Sequence, residues 1–416
     1  MKVLSVIWKT IKVLLLLIIG CVLIGFLVAP IYKFPEPKPF GGDKIYDPYK
    51  GIDSTTVWRK ANFHAHSKLK FFTNGAKPIE EVVDDYRSYG YDIIGISNYQ
   101  TISRYEPQRR SEHHIPVYEH GYNVFKFHQL IFGAESHSYR DILLPVTLCQ
   151  KQYLLTTLGE KADILCVNHP AFTLMFKPED MRSLSGYRLI EGESGMAKSA
   201  AFWDEGLSSG HPSFNLSGDD SHNTDRPHDI ATDCNFIPAA SCRYEDIIDR
   251  LEAGRYYSMK IPNFGDGDTT VKRAKNLDLP RLTSVSFNKD TIRVGFSRPA
   301  TVTFIGQGGI QKAEIHAKDT TAAYGFTKED TYIRVDAVFE DGVHIFLNPW
   351  FRYEGDDPFA VAAPVKNKVA TITKDVVLGI VLLMILVGIV RIIFRKDKRR
   401  RRNNYYGKDQ RYVSYR

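Results

Sequence analysis

Hydrophobic and polar positions divide the chain into three parts. Val13 to Tyr32 is twenty residues without a charge, long enough as a helix to cross a hydrocarbon layer about 30 Å thick. A second run, Val376 to Phe394, is broken only by Arg391 near its end, where a long side chain snorkels to the headgroups. From Val57 onward, short apolar runs ending in polar residues alternate with amphipathic stretches. Ala61 to Ser67 reads as a strand. Pro78 to Tyr89 reads as a helix with Pro in its first turn and Gly90 as its stop. Tyr91 to Ser97, Phe125 to Glu135, Ala162 to His169, Tyr187 to Glu191 and Phe214 to Gly218 read as further buried strands, followed by a helix over Tyr244 to Ala253. Strand and helix in repetition predict an α/β fold with a parallel sheet or barrel.

After residue 277 the runs become short, alternating and rich in Val, Ile, Phe and Thr. They cover Leu282–Phe287, Thr291–Phe296, Ala300–Ile305, Ala313–Ala317, Tyr332–Phe339 and His344–Leu347, and they predict a small antiparallel β-sandwich. The expected organisation is a terminus over 1–12, a transmembrane helix over 13–32, a Pro-rich linker over 33–56, and an α/β domain over 57–276. A β-sandwich over 277–355, a linker over 356–375, a transmembrane helix over 376–394 and a basic tail over 395–416 complete it.

Charge sets an orientation. Three lysines precede the first span, and Arg395 to Arg402 follow the second with seven basic residues in eight. Lys and Arg mark the cytoplasmic side, so both ends are expected in the cytoplasm and residues 33–375 outside it. The formal net charge of +7 comes from these ends; the middle is net acidic, which argues against nucleic acid as a partner. Membrane lipid is expected at both ends, and nothing in the sequence names a protein partner. Of the five cysteines, Cys234 and Cys242 are spaced to bridge or to remain buried thiols, and no CxxC pair marks a zinc knuckle.

The chemistry begins at Trp58–Ser67, W-R-K-A-N-F-H-A-H-S. In a strand, side chains alternate in direction, so His64 and His66 share a face and make half of a metal site. A divalent zinc or manganese ion needs further N or O ligands. Chemistry in parallel α/β folds collects at the carboxyl ends of strands, and there lie Glu135, His169, Asp220 and His222.

These residues resemble the motifs of the polymerase-and-histidinol-phosphatase (PHP) superfamily of metal-dependent phosphoesterases, over roughly residues 57–262. The motifs are H-x-H (His64, His66), G-x-E (Gly133-Ala134-Glu135), H-P (His169-Pro170), G-S-D-x-H (Gly218-Asp219-Asp220-Ser221-His222) and a closing A-G-R-x-Y (Ala253 to Tyr257). The resemblance implies a distorted (β/α)7 barrel and one or two zinc or manganese ions. It also implies a first metal held by His64, His66, Glu135 and Asp220, with Glu135 bridging to a second at His169. Glu135, Asp220 and His222 would be catalytic. The implied function is a membrane-anchored, extracytoplasmic metal-dependent hydrolase that acts on a small phosphoester through a metal-activated water; carbamate or amide hydrolysis and a degenerate binding or scaffold module are the alternatives.

The chain departs from the pattern where the family has T-D-H, here Ser97-Asn98-Tyr99, and where Phe71 and Phe72 replace a polar ligand. His137 or Asp141 can substitute in the second site. Tyr99, Glu191, Arg226, His228 and the loop residues Arg104, Arg109, Arg110, His113, His114 and His120 are further candidates for metal or substrate.

Overall fold

The computed structural model describes residues 2–69, 75–103, 114–144, 146–173, 175–195 and 197–394. Arg104, Arg109, Arg110, His113, Phe71, Phe72 and the basic tail fall outside them. The chain divides into two compact units, one of residues 1–31 with 366–416 and one of residues 32–365.

The first unit is built on two helices, α1 (Lys2–Val28) and, at the other end of the chain, one over Lys368–Phe394. Both are long and apolar enough to cross a membrane, and neither is buried within the protein. They run antiparallel. Lys374 donates to the carbonyls of Phe26 and Ala29, and Thr371 Oγ1 accepts from Ile31 N at 3.0 Å. Further along, a side chain at Gly388 would sit 3.9 Å from Leu16. A lysine ammonium on the last carbonyls of a helix complements both the unpaired acceptors and the dipole.

The second unit is mixed α/β. Seven strands carry the candidate chemistry: β1 (Trp58–Asn62), β2 (Ile93–Ile94), β3 (Val117–His120), β4 (Gln129–Phe132), β5 (Ile164–Val167), β6 (Leu189–Ser194) and β7 (Phe214–Gly218). β1 pairs with β2 in parallel, and β3 to β7 form one sheet in sequence order. Isolated bridges join Tyr99 to Glu119 and Ala65 to Ser221, so the pairings lead from β1 round to the segment after β7 and back. Helix α2 (Ile79–Ser88) follows Pro78 as expected and buries Val82, Val83 and Tyr86. Gly90 stops it in the left-handed region, φ +78°, where a side chain is strained.

Two expectations need correction. The first strand ends at Asn62, so His64 and His66 lie in the extended segment beyond it. The stretch 114–124, read as loop, contains the strand β3, antiparallel to β4 in the register Glu119 to Leu130.

Two more strands extend the sheet of β1: β8 (Asp233–Pro238) runs antiparallel beside β1, and β9 (Tyr257–Lys260) runs antiparallel beside β8. After them come β10 (Leu282–Asn288), β11 (Thr291–Phe296), β12 (Ala300–Gly306), β13 (Ile310–Ala317), β14 (Thr321–Gly325), β15 (Tyr332–Phe339) and β16 (His344–Tyr353). β10, β11 and β14 form a three-stranded sheet. The remaining four continue through β9 and β8 into β1 and β2, so this region shares a sheet with the strand that leads to His64. Its core includes Trp350, Phe304 and Ile292, all with essentially no exposed surface. All five cysteines are free; Cys234 is buried and Cys242 half-buried.

Candidate metal centre

Four buried side chains, His64, His66, Glu119 and Asp220, point ligand atoms at one another. Glu119 Oε2 lies 3.3 Å from His64 Nε2 and 3.2 Å from His66 Nε2; Asp220 Oδ1 lies 3.2 and 3.1 Å from the same nitrogens. A second group shares the same carboxylate. Glu119 Oε1 lies 2.8 Å from His128 Nδ1 and 3.3 Å from His169 Nε2. The two oxygens of Glu119 thus face two different imidazole pairs.

Local structure explains the convergence. Glu119 is the third residue of β3, and His128 stands just before β4, its antiparallel partner. Asp220 and His169 have φ of +50° and +26°, positions where non-glycine backbone is strained and which cluster at functional sites. For Asp220 that strain is held by its neighbour. The Asp219 carboxylate accepts from Ala231 N (2.8 Å), Thr232 N (2.9 Å), Asp233 N (2.8 Å) and Tyr86 Oη (2.7 Å). Tyr86 in turn accepts from Asn62 Nδ2 at 2.8 Å.

Behind His64 stands Glu191. Its Oε1 is 2.8 Å from His64 Nδ1 and its Oε2 accepts from His169 N at 2.9 Å. A carboxylate on Nδ1 fixes the proton there and leaves the Nε2 lone pair for a cation. Glycine is required at 218, because a Cβ would sit 2.6 Å from Glu191 Oε1 and 2.7 Å from His64 Cβ.

The electrostatics are those of a site suited to a cation. Burial alone would lower His64, yet the Glu191, Asp220 and Glu119 carboxylates raise it well above the ordinary imidazole value. His66 and His169 are also raised against burial, by hydrogen bonds and charge from Glu119 and Asp220. Burial would raise Glu119 and Asp220, but the imidazoles hold both carboxyls low. His64 Nε2, Glu119 Oε2 and His169 Nδ1 are buried without a hydrogen-bond partner. Buried polar atoms left unpaired cost free energy; for His64 Nε2 and Glu119 Oε2, a divalent ion removes that cost. The donors, imidazole nitrogen and carboxylate oxygen, suit zinc or manganese.

The structure does not bring every expected residue here. Glu135, expected to bridge, is exposed beyond the end of β4, and the carboxylate that faces both imidazole pairs is Glu119. The reason is a shift of one strand: the run Phe125–Glu135 holds β4, which runs antiparallel, so its carboxyl end leads away from the site. His137 packs against Tyr139, ring centroids 4.6 Å apart, and Asp141 accepts from Tyr122 N and Asn123 N at 2.7 and 3.0 Å; neither joins the cluster. Glu191 supports His64. Arg226 and His228 are exposed beside Asp229. His120 is held by Gln129 and the Arg140 carbonyl, and His114 is half-buried outside the cluster. Tyr99 does border it, its ring 4.8 Å from that of His66 and 5.3 Å from that of His128. Burial first, then Glu119 and Asp220, raise its hydroxyl, which remains a neutral donor. His222 packs 4.4 Å from His66 and donates Nδ1–H to the Asp220 carbonyl at 2.8 Å.

Glu119, His128 and Asp219 were missed from sequence. Val117-Tyr118-Glu119-His120 carries the same signal as the other strands, apolar residues ending in polar ones, and Glu119 with His128 mirrors the ends of a hairpin.

No known family model matches the chain, and no curated protein matches it. Among solved structures, a two-domain protein from Bacteroides vulgatus, described as containing a predicted PHP-like metal-dependent phosphoesterase, aligns over 73% of this chain and 96% of its own. The identity is 15% and the TM-score 0.38. At that score the likeness carries no weight, and the metal centre stands on the geometry of its own side chains.

Proposed function

We propose that the chain is a membrane-anchored metal-dependent hydrolase, with phosphoesters as its substrate class and a PHP-type distorted seven-stranded barrel as its frame. The observation that carries this reading is Glu119, whose two oxygens face His64 with His66 on one side and His128 with His169 on the other. Such a carboxylate could serve two cation sites at once. His64, His66, Asp220 and Glu119 would hold one; Glu119, His128 and His169 the other. When bound, divalent ions supply Lewis acidity and lower the pKa of water.

The remaining residues have their own tasks. Tyr99 presents an O–H donor at the edge of the cluster, suited to an ester oxygen. His222 keeps its Nδ1 proton on the Asp220 carbonyl, so Nε2 is the nitrogen available to receive a proton. Burial and the neighbouring His66 hold this ring below its ordinary value, which keeps it neutral at neutral pH.

The ring of pairings from β1 through β7 supports the barrel. The antiparallel apolar helices and the basic ends support two membrane spans with both termini cytoplasmic and residues 33–375 extracytoplasmic. Elemental analysis of the purified full-length protein tests the central claim: two zinc or manganese ions per chain and turnover of a generic phosphomonoester are expected. A protein that takes up no metal from buffers containing either ion, and hydrolyses no ester, overturns it.

A further inference from the structure

Apolar side chains are exposed along the rim of the metal centre. Six of them, Tyr122, Val124, Tyr139, Leu143, Phe172 and Met175, have between 38% and 69% of their surface exposed. Single exposed apolar residues are ordinary. Four of the six lie on two loops that begin or end on residues of the centre itself, and Tyr139 and Leu143 lie on a third segment. The loop from Gly121 to Phe127 joins Glu119 to His128 and carries Tyr122 and Val124. The loop after His169 carries Phe172 and Met175, and the Phe172 ring stands 5.8 Å from that of His169.

The two loops touch. Phe127 packs on Phe176 with ring centroids 5.2 Å apart. The segment bearing Tyr139 and Leu143 is tied to the first loop, because Tyr122 Oη donates to the Tyr139 carbonyl at 2.6 Å and Val124 N to the Leu143 carbonyl at 3.3 Å. Three linked segments thus carry an apolar ridge that starts beside His169, at Phe172.

We infer that the substrate is an amphiphile, with its ester group at the metal centre and a linear alkyl chain laid along this ridge. The ester end rests on the hydrolase reading; the alkyl end rests on the ridge alone. A surface of this kind bordering a polar centre matches a molecule with one charged end and one apolar end. A chain with two helices apolar enough to cross a membrane also works where amphiphiles concentrate.

The test compares butyl phosphate with octyl phosphate on the full-length protein in phosphatidylcholine nanodiscs. Binding is measured by calorimetry against empty discs, and hydrolysis by phosphate release. Four further methylenes, about half buried, should tighten octyl binding roughly tenfold over butyl. Val124→Ser with Leu143→Ser should bring that ratio below about three, and Val124→Ile with Leu143→Met should retain it.

Equal binding of the two esters by the wild type overturns the proposal, as does a ratio that the serine pair leaves unmoved. Self-association of the wild type that the serine pair abolishes assigns the ridge to a second copy of the chain and also overturns it. If neither ester is hydrolysed, the hydrolase reading fails while the binding ratio still decides the ridge. If neither ester binds, both fail.

Discussion

His64 Nδ1 lies 2.8 Å from Glu191 Oε1 while the opposite nitrogen of the same ring faces Glu119 and Asp220. One imidazole is thereby oriented from behind and offered to a cation in front. Glu191→Gln preserves shape and removes the charge that favours the Nδ1 proton. Metal affinity should fall about 10- to 100-fold with the fold intact, as read by competition with a chromophoric chelator. Unchanged affinity would show that Glu191 does not orient the ring.

Glu119→Gln and Glu135→Gln separate the two candidate bridging carboxylates. The first should lose at least one ion per chain and reduce turnover by two orders of magnitude or more, since it removes a ligand common to both pairs. The second, on an exposed residue, should retain wild-type metal content and rate. The opposite outcome would return the bridge to Glu135.

Proton competition sets the pH dependence of metal uptake. Because the carboxylates raise His64, His66 and His169, the metal-free centre holds protons that the ion must displace. Apparent affinity should therefore weaken from pH 7.5 to pH 6, with proton release visible as a buffer-dependent heat in calorimetry. An affinity that is flat across this range contradicts the assignment of these imidazoles as ligands.

Gly218→Ala tests the packing behind the centre. Its methyl would meet Glu191 Oε1 and His64 Cβ at 2.6 and 2.7 Å, and overpacking of a rigid site costs about 1–3 kcal/mol. Lower thermal stability together with weaker metal binding is expected; wild-type values for both would mean the backbone yields without cost.

Asp233 gives a stability change distinct from metal binding. Burial raises its carboxyl to about 8, Asp219 adds to the rise and Lys260, 3.9 Å away, opposes it. With the folded value above the ordinary carboxylate value of about 4, the unfolded chain binds fewer protons between these pH values, so stability falls as pH rises through that window. Asp233→Asn should flatten the fall, gaining on the order of 2 kcal/mol at pH 8 relative to pH 5 in denaturant titrations. A parallel pH profile in the variant would place the carboxyl in its ordinary range.

The sequence by itself determined what depends on neighbours along the chain. The two long apolar helices follow from uninterrupted apolar length, α2 from Pro78 and Gly90, and the H-x-H pair from the two-residue repeat of extended backbone. The motif residues His64, His66, His169 and Asp220 were legible because each ends an apolar run. Glu119 was not, because its strand carries the same signal as the others and the choice between it and Glu135 depends on the antiparallel pairing of β3 with β4. Periodicity gives the faces of a strand but not its direction in the sheet. Which carboxylate meets the histidines is decided by that direction, and it exists only once β3 and β4 have paired. The strained φ of Asp220, held by Asp219 through contacts reaching residue 233, and the continuation of the late strands into the sheet of β1 are likewise long-range. They are fixed by hydrogen bonds between segments far apart in sequence, where no local pattern records them.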